Sequence, residues 1–148
     1  MTSEQTIAFR SAAPQDYDFA WRLYAATIRE ITESLIGWDE SKQSASFANQ
    51  WRLDEVRIIV ADGEDIGWLQ TALIRDTVFL KQLYIDPSRQ GMGIGTRVLG
   101  IVIEKASKKY MPVALAVMKN NPAQRLYSRL GFEIIHADQH KFYMERKA

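Results

Sequence analysis

Strands are predicted wherever apolar residues alternate with polar ones or form short β-branched runs bounded by turn residues. Three such runs between residues 56 and 85 follow one another with only short turns between them, so they are expected to pair antiparallel. The run at 113–118 is apolar throughout, as in a strand that is buried on both faces. The predicted strands cover residues 7–11, 56–61, 66–74, 78–85, 113–118, 132–135 and 141–145.

Helices are predicted where apolar residues recur every three or four positions. Gly37 separates the first two patterns, Pro122 suits the first turn of the last one, and Gly131 suits its end. Either Asn120 or Asn121 is expected to cap that last helix. The predicted helices cover about residues 16–34, 39–51, 94–106 and 122–130.

The order of these elements, β-α-α-β-β-β-α-β-α-β-β, predicts a mixed α/β domain with about seven strands and about four helices. A helical crossover joins the strand at 78–85 to the strand at 113–118, so these two are expected to be parallel within a mostly antiparallel sheet. With 148 residues and no linker or repeat, the chain is expected to form a single domain over residues 1–148.

Composition excludes several classes of protein. The net charge of +1 provides no overall field for nucleic acid or an anionic membrane. There is no cysteine, so disulfides, thiolate metal sites and a cysteine nucleophile are excluded. No signal-peptide pattern or run of about 18 apolar residues is present. We therefore expect a soluble cytoplasmic protein that uses no metal and binds neither nucleic acid nor membrane.

A glycine-rich segment at 90–96 lies between the strand at 78–85 and the third helix. Its glycines let backbone N–H groups approach one anion, and the start of the helix adds partial positive charge. A P-loop would place a lysine directly after the last glycine, where this chain has Thr96. A dinucleotide-binding turn would need glycine at Thr96 or at Val98. The segment is therefore predicted to bind a phosphate group of another kind.

Two motifs resemble those of the Gcn5-related N-acetyltransferase (GNAT) superfamily. Gln90, Gly93 and Gly95 match the family pattern Gln/Arg-x-x-Gly-x-Gly/Ala at the start of a helix. The segment 120–132 resembles the family pattern Asn-x-x-Ala-x-x-Leu-Tyr-x-x-Leu-Gly-Phe. The resemblance covers residues 7–144 and implies the acyl-CoA N-acyltransferase fold, in which the parallel strand pair at the middle of the sheet splays apart.

The resemblance also implies that acetyl-CoA lies between the splayed strands. In the family pattern, the strand backbone pairs with the pantetheine arm, the glycine turn binds the pyrophosphate, and one asparagine holds the arm. The spacing to Ala123 favours Asn120 over Asn121 as this asparagine. Either asparagine could instead only cap the helix, and the glycines could instead form a tight turn that binds no ligand. The implied cofactor-binding residues are Leu83, Tyr84, Ile85, Gln90, Gly91, Met92, Gly93, Ile94, Gly95, Thr96, Asn120 and Asn121.

Tyr127 stands where family members commonly use a tyrosine to protonate the departing CoA thiolate or to donate a hydrogen bond to it. A free phenol titrates near pH 10 and a thiol near 8.5, so full proton transfer is unfavourable by roughly 1.5 pH units. A hydrogen bond to the developing thiolate is therefore the predicted role. The alternative is a tyrosine that only packs in the core.

The general base is not given by a motif, because the strand that carries a glutamate in many family members has Lys81 and Gln82 here. Glu33 is the predicted base. The further candidates are Asp39, Glu40 and His140, and any of these could act directly or through water. The acidic stretch from Glu30 to Glu40 indicates a cationic acceptor, although these carboxylates could simply face water or begin a helix. The predicted acceptor-binding residues are Trp38, Asp39, Glu40 and His140.

The predicted function is transfer of acetyl from acetyl-CoA to a primary amine by direct attack in a ternary complex, because the chain has no cysteine to carry an acyl-enzyme. The expected acceptor is a small cationic or amino-acid-like molecule. Two alternatives stay open: a CoA-binding sensor without turnover, and transfer to a peptide or protein amine. A homodimer formed through the edge of the closing strands also stays open.

Overall fold

The computed structural model describes residues 6–33 and 37–148, with only the backbone for residues 32 and 33. Within that part of the chain, seven strands form one sheet and four α-helices cover it. The strands are β1 (Ile7–Ser11), β2 (Val56–Ala61), β3 (Glu64–Ile74), β4 (Thr77–Ile85), β5 (Val113–Met118), β6 (Glu133–Ala137) and β7 (Lys141–Arg146). The helices are α1 (Tyr17–Glu33), α2 (Glu40–Gln50), α3 (Ile94–Lys108) and α4 (Ala123–Arg129).

The strands lie in the order β1-β2-β3-β4-β5-β7-β6. All neighbouring strands are antiparallel except β4 and β5, which are parallel. The predicted mixed α/β fold, with a parallel pair at the middle of a mostly antiparallel sheet, is confirmed. No helix in the described residues has the length and apolar character needed to cross a membrane.

The turn between β2 and β3 is shorter than predicted. The predicted strands at 56–61 and 66–74 leave four residues for the turn, but Glu64 and Asp65 already pair with β2. Only Asp62 and Gly63 form the turn, and both have positive φ, of 51° and 83°. Two such residues in succession make the tight hairpin turn whose twist matches that of the flanking strands.

Side chains of the sheet alternate between two hydrophobic cores, because successive residues of a strand point to opposite faces. In β2, Val56 and Ile58 pack beneath α1 and α2, whereas Ile59 and Ala61 pack beneath α3 and α4. The core beneath α1 and α2 is unusually aromatic. Its rings in mutual contact are Tyr17, Trp21, Tyr24, Phe47, Trp51, Trp68 and Tyr84.

The parallel pair separates partway along its length. β4 and β5 are in register only at 78–80 and 113–115. On the other side of β4, Thr71 pairs with Leu80 but Gln70 pairs with Gln82, so Lys81 is an extra residue, a β-bulge. A bulge bends its strand and increases the local twist. The ends of β4 and β5 therefore diverge from the bulge onward and leave a gap in the sheet.

The bulge also changes which residues of β4 direct their backbone groups into the gap. Before the bulge, the N–H of Val78 donates a hydrogen bond to the carbonyl oxygen of Pro112, the residue before β5, at 2.9 Å. After the bulge, the N–H of Asp86 donates a hydrogen bond to the carbonyl oxygen of Ile66 in β3, at 2.7 Å. Because hydrogen-bonding direction alternates along a strand, Leu83 and Ile85 direct their backbone groups away from β3 and into the gap.

The close pairing of β3 with the end of β4 yields a stability prediction. A Cβ added at Gly67 would lie 2.3 Å from the carbonyl oxygen of Tyr84, so the two strands would have to separate. We expect Gly67→Ala to lower the free energy of unfolding by about 1–3 kcal/mol, the usual cost of overpacking. Urea denaturation followed by circular dichroism measures this change.

The matched control is Gly100→Ala on α3, where an added Cβ meets no atom within 4 Å. Alanine is the better helix former, so this variant should gain about 0.5–1 kcal/mol. Equal stability of the two variants would contradict the proposed clash.

Candidate active site

The glycine loop leads from the end of β4 into α3. Gly91 and Gly93 have φ of 80° and 77°, a left-handed conformation that other residues rarely adopt. Gly93 is also the N-cap of α3. An added Cβ at either glycine would meet no atom within 4 Å, so the requirement for glycine is conformational and the space before the loop is open.

The start of α3 presents backbone N–H groups to that open space. The first N–H of the helix that donates back within it is that of Arg97, to the carbonyl of Gly93 at 3.1 Å. The preceding N–H groups, those of Ile94, Gly95 and Thr96, have no acceptor within the helix. Together with the partial positive charge of the helix N-terminus, they form a site suited to a phosphate group.

Side chains on both sides of the loop hold it against β4. Asp86 accepts hydrogen bonds from the N–H and the hydroxyl of Ser88, at 2.9 and 2.8 Å. Gln90 donates its side-chain amide to the carbonyl of Ile85 at 3.1 Å. Arg89 forms an ion pair with Glu64 of β3. These contacts fix the position of the N–H groups before any ligand binds.

A cavity of about 950 Å³ runs from the glycine loop along the end of β4 to the start of α4. Of the predicted cofactor-binding residues, only Met92 does not line it, and Met92 is 59% exposed. The predicted residues that line the cavity are Leu83, Tyr84, Ile85, Gln90, Gly91, Gly93, Ile94, Gly95, Thr96, Asn120 and Asn121.

The two asparagines differ in their contacts inside the protein. Asn120 donates its side-chain amide to the carbonyl of Ile31 at 2.7 Å, which ties the start of α4 to the end of α1. Asn121 accepts a hydrogen bond from the N–H of Ala123, the first residue of α4, at 2.9 Å, whereas the N-cap position of the helix is Pro122. α4 begins at Ala123, one residue after the predicted start at Pro122.

Tyr127 lies on α4, where its ring packs edge-on against Phe132 at 5.8 Å between centroids. The residue is 9% exposed, and burial raises the pKa of its phenol to about 12. Its hydroxyl makes no hydrogen bond to the part of the chain that the structure describes. Tyr127 is therefore a neutral phenol whose donor is available to a ligand.

A second, smaller cavity of about 300 Å³ reaches the same gap from between α1, α2 and the sheet. The two cavities share Leu83, Tyr84, Asn121 and Tyr127, so they adjoin in the part of the gap that Tyr127 lines. The further residues that line the smaller cavity are Tyr24, Ile28, Gln43, Ser46, Gln50, Leu80, Lys81, Gln82, Leu115, Ala116, Val117, Met118 and Lys141.

Hydrogen bonds order the polar wall of the smaller cavity. Tyr24 donates to the Oε1 atom of Gln43 at 2.7 Å, and Tyr84 donates to the Oε1 atom of Gln82 at 2.9 Å. Burial raises the pKa of both phenols above its ordinary value. Tyr24, Gln43 and Gln82 were not predicted as site residues, since nothing in the sequence distinguishes them from core positions of α1, α2 and β4. Tyr84 was predicted only as a cofactor-binding residue.

The predicted base and acceptor residues lie in several places. Glu33 is the last residue of α1, and its side chain falls outside the described part. Asp39 accepts a hydrogen bond from the N–H of Lys42 at 3.1 Å and so caps α2. Trp38, Glu40 and His140, like Asp39, line neither of the two cavities. Acceptor-binding roles for these four residues, and the role of Glu33 as base, stay predictions.

Carboxylates and histidines are sparse near the meeting point of the cavities. Glu30 lines the larger cavity, and no described carboxylate or histidine lines the smaller one. Among the described residues there is also no group of three Asp, Glu or His side chains that could hold a metal ion.

Comparison with known proteins identifies the class of this site. The sequence model of the acetyltransferase (GNAT) family matches residues 12–132, which is most of the chain. The chain therefore belongs to the GNAT family of acetyltransferases, and the resemblance of its two motifs is confirmed. Family membership supports the predicted enzyme class, an N-acetyltransferase, and the predicted co-substrate, acetyl-CoA.

Individual relatives agree with this assignment. An uncharacterized N-acetyltransferase of Methanocaldococcus jannaschii is 25% identical over 142 residues, and the match covers 87% of this chain. The chain spans 62% of the length of that relative.

Solved structures share the fold. The PaiA N-acetyltransferase of Thermoplasma acidophilum, in complex with coenzyme A, has a TM-score of 0.79 at 19% identity, covering 97% of this chain and 99% of its own. The ribosomal-protein-S18-alanine N-acetyltransferase of Escherichia coli has a TM-score of 0.63 at 20% identity, covering 96% and 94%.

The geometry of the glycine loop yields a binding prediction. Alanine at position 93 would be strained at the positive φ by about 1–3 kcal/mol, and the loop would relax by moving its N–H groups. We expect Gly93→Ala to raise the Kd for CoA about tenfold, measured by isothermal titration calorimetry.

Gly63→Ala is the matched control, because Gly63 has φ of 83°, equally open surroundings and a position in the β2–β3 turn. It should lose similar stability and keep the affinity of the parent for CoA. Equal affinity in both variants would exclude the loop from CoA binding.

Proposed function

We propose that this protein is an acetyl-CoA-dependent N-acetyltransferase that acts on a primary amine by direct attack in a ternary complex. The observation that carries the proposal is the meeting of two cavities at Tyr127, one leading to an anion site and the other to the aromatic side of the sheet. Such an arrangement brings two reactants together from opposite faces of one sheet.

The residues of the larger cavity fit acetyl-CoA. The N–H groups from Gly91 to Thr96 suit the pyrophosphate, as the open left-handed glycines and the helix N-terminus indicate. The backbone of Leu83 and Ile85, directed into the gap, suits the amides of the pantetheine arm. Coenzyme A in the related PaiA N-acetyltransferase structure supports this assignment.

Acetyl-CoA supplies an acetyl group activated as a thioester. The neutral amine nitrogen forms a C–N bond to the acetyl carbon while the C–S bond breaks, and the proton that the amine loses passes to a base or to water. Tyr127 donates its hydrogen bond to the sulfur as negative charge develops there. With a phenol pKa of about 12 against a thiol near 8.5, it keeps its proton through the step.

How much a base contributes depends on the acceptor. About one in ten α-amines with a pKa near 8 is neutral at pH 7, against about one in 2,500 alkyl amines with a pKa near 10.4. We retain Glu33 as the proposed base, acting directly or through water. Trp38, Asp39, Glu40 and His140 are retained as proposed acceptor contacts from the surrounding segments.

We propose a small acceptor, either cationic or amino-acid-like, for the smaller cavity. A protein α-amine is the second candidate, because one structural neighbour is named for acetylating the alanine of a ribosomal protein. The cytoplasm is the proposed location, since a chain without cysteine fits a reducing compartment. Pairing of two copies through the exposed edge strand β6 remains the proposed route to a homodimer.

Thiol release from acetyl-CoA tests the activity directly. The panel comprises alkyl diamines, free amino acids and short peptides with free N-termini, with CoA binding measured in parallel. Turnover with at least one class is expected. Binding of CoA without thiol release from any amine would instead indicate a sensor, and activity on peptides alone would indicate a protein acceptor.

Removal of the Tyr127 hydroxyl tests its role. Tyr127→Phe keeps the ring packed against Phe132 but removes the donor to the thiolate. We expect kcat to fall about 10²-fold or more, the lower range for loss of a general acid, with an unchanged Kd for CoA. Turnover close to that of the parent with the best acceptor would remove Tyr127 from the mechanism.

The raised pKa of Tyr127 also predicts the shape of the pH profile. Because the phenol ionises only near pH 12, it stays protonated between about pH 6 and 10. kcat/KM should therefore rise as the acceptor amine loses its proton, with no fall caused by the phenol below about pH 10. A descending limb in that range that disappears in Tyr127→Phe would show that the phenol titrates there.

A further inference from the structure

The charged side chains of the smaller cavity are all of one sign. Lys81 and Lys141 line it, and the remaining polar residues of its wall are amides and hydroxyls, without a carboxylate among the described residues. A cationic acceptor needs negative charge beyond its reacting amine, and this wall provides none.

The two lysines differ in how their charges are balanced. The Lys81 ammonium pairs with Glu55 at 2.9 Å, and Glu55 also accepts a hydrogen bond from Gln70 at 2.8 Å. Lys81 is therefore largely neutralised by a carboxylate outside the cavity. Lys141 makes no ion pair within 4 Å with a carboxylate in the described part of the chain, so its positive charge is available to a ligand.

The nearest carboxylate in sequence is committed to other donors. Asp138 accepts hydrogen bonds from the N–H groups of His140 and Lys141 at 2.9 and 2.7 Å, and from the hydroxyl of Tyr143 at 2.7 Å. These bonds, with a smaller effect of the Lys141 charge, lower the pKa of Asp138 to about 2. Asp138 therefore shapes the β6–β7 turn and does not line the cavity.

Alternation along β7 directs Lys141 to the acceptor side. Phe142 and Met144 pack into the core beneath α3 and α4. Lys141, which precedes Phe142, therefore points to the opposite face, where the smaller cavity lies. Its partner in the β5–β7 register is Met118, the last residue of β5, which lies beside the gap.

The amides of the same wall offer donors. The Oε1 atoms of Gln43 and Gln82 accept the hydroxyls of Tyr24 and Tyr84. Their Nε2 groups donate no hydrogen bond within the described residues and are left for a ligand. A wall of amide donors and an unpaired ammonium favours an anionic group over a cationic one.

We infer that the acceptor carries a carboxylate near its reactive amine, and that Lys141 binds this carboxylate. The inference rests on the proposed function and selects the amino-acid-like acceptor over the cationic one. The cavity volume of about 300 Å³ suits a molecule of that size. Gln43 and Gln82 would donate hydrogen bonds to the same end of the acceptor.

The test compares matched acceptors, using the 148-residue chain and acetyl-CoA. Each L-amino acid is assayed beside its carboxamide and the corresponding alkyl diamine, with kcat/KM expressed per neutral amine. We expect the best carboxylate to exceed its carboxamide about tenfold, in keeping with one hydrogen bond to a charged group. Preference for carboxamides or diamines, with turnover present, would overturn the inference and leave the proposed function standing.

Variants of Lys141 test whether this residue is the source of the preference for carboxylate acceptors. Lys141→Met should lower the ratio of carboxylate to carboxamide kcat/KM about tenfold, mainly through KM for the carboxylate, and Lys141→Arg should keep it. The control is Lys108→Met, an exposed position on α3 that removes the same charge away from both cavities. An unchanged ratio in Lys141→Met would remove Lys141 from acceptor binding. Absence of thiol release with every amine, while CoA still binds, would refute the proposed function itself.

Discussion

The single extra residue in β4 is the constraint on which the site depends. Because Lys81 has no partner on β3, β4 bends away from β5 after only three paired positions. The same insertion turns the backbone groups of Leu83 and Ile85 into the resulting gap. A regular strand would have kept its ladder with β5 and closed the sheet, so the cavities on its two faces would not meet.

The site separates charge from the reacting centre. The backbone N–H groups and the helix N-terminus that we propose for phosphate binding lie at one end of the gap, whereas neutral phenols lie at its centre. Burial raises the pKa values of Tyr24, Tyr84 and Tyr127, so none of them competes as an anion with a developing thiolate. A buried neutral donor stabilises negative charge strongly, because little water is present to screen it.

On the acceptor side, the charge of the most conspicuous sequence segment differs from the charge that lines the smaller cavity. Asp39 belongs to the most acidic stretch of the chain, yet its side chain caps α2. The lining of the smaller cavity is drawn instead from α1, α2, β4, β5, α4 with the residues before it, and β7, and its available charge is that of Lys141.

The amino-acid sequence alone was enough to predict the helices and strands and the glycine loop, because apolar periodicity and glycine conformations act within a few residues. β5 lies at the predicted positions, and α4 begins one residue later than predicted. The tertiary structure alone decided the bulge at Lys81, the place of β7 between β5 and β6, and the convergence of Tyr24 with Lys141 on one cavity. Strand register and packing between distant elements depend on contacts over the whole sheet, which no local pattern records.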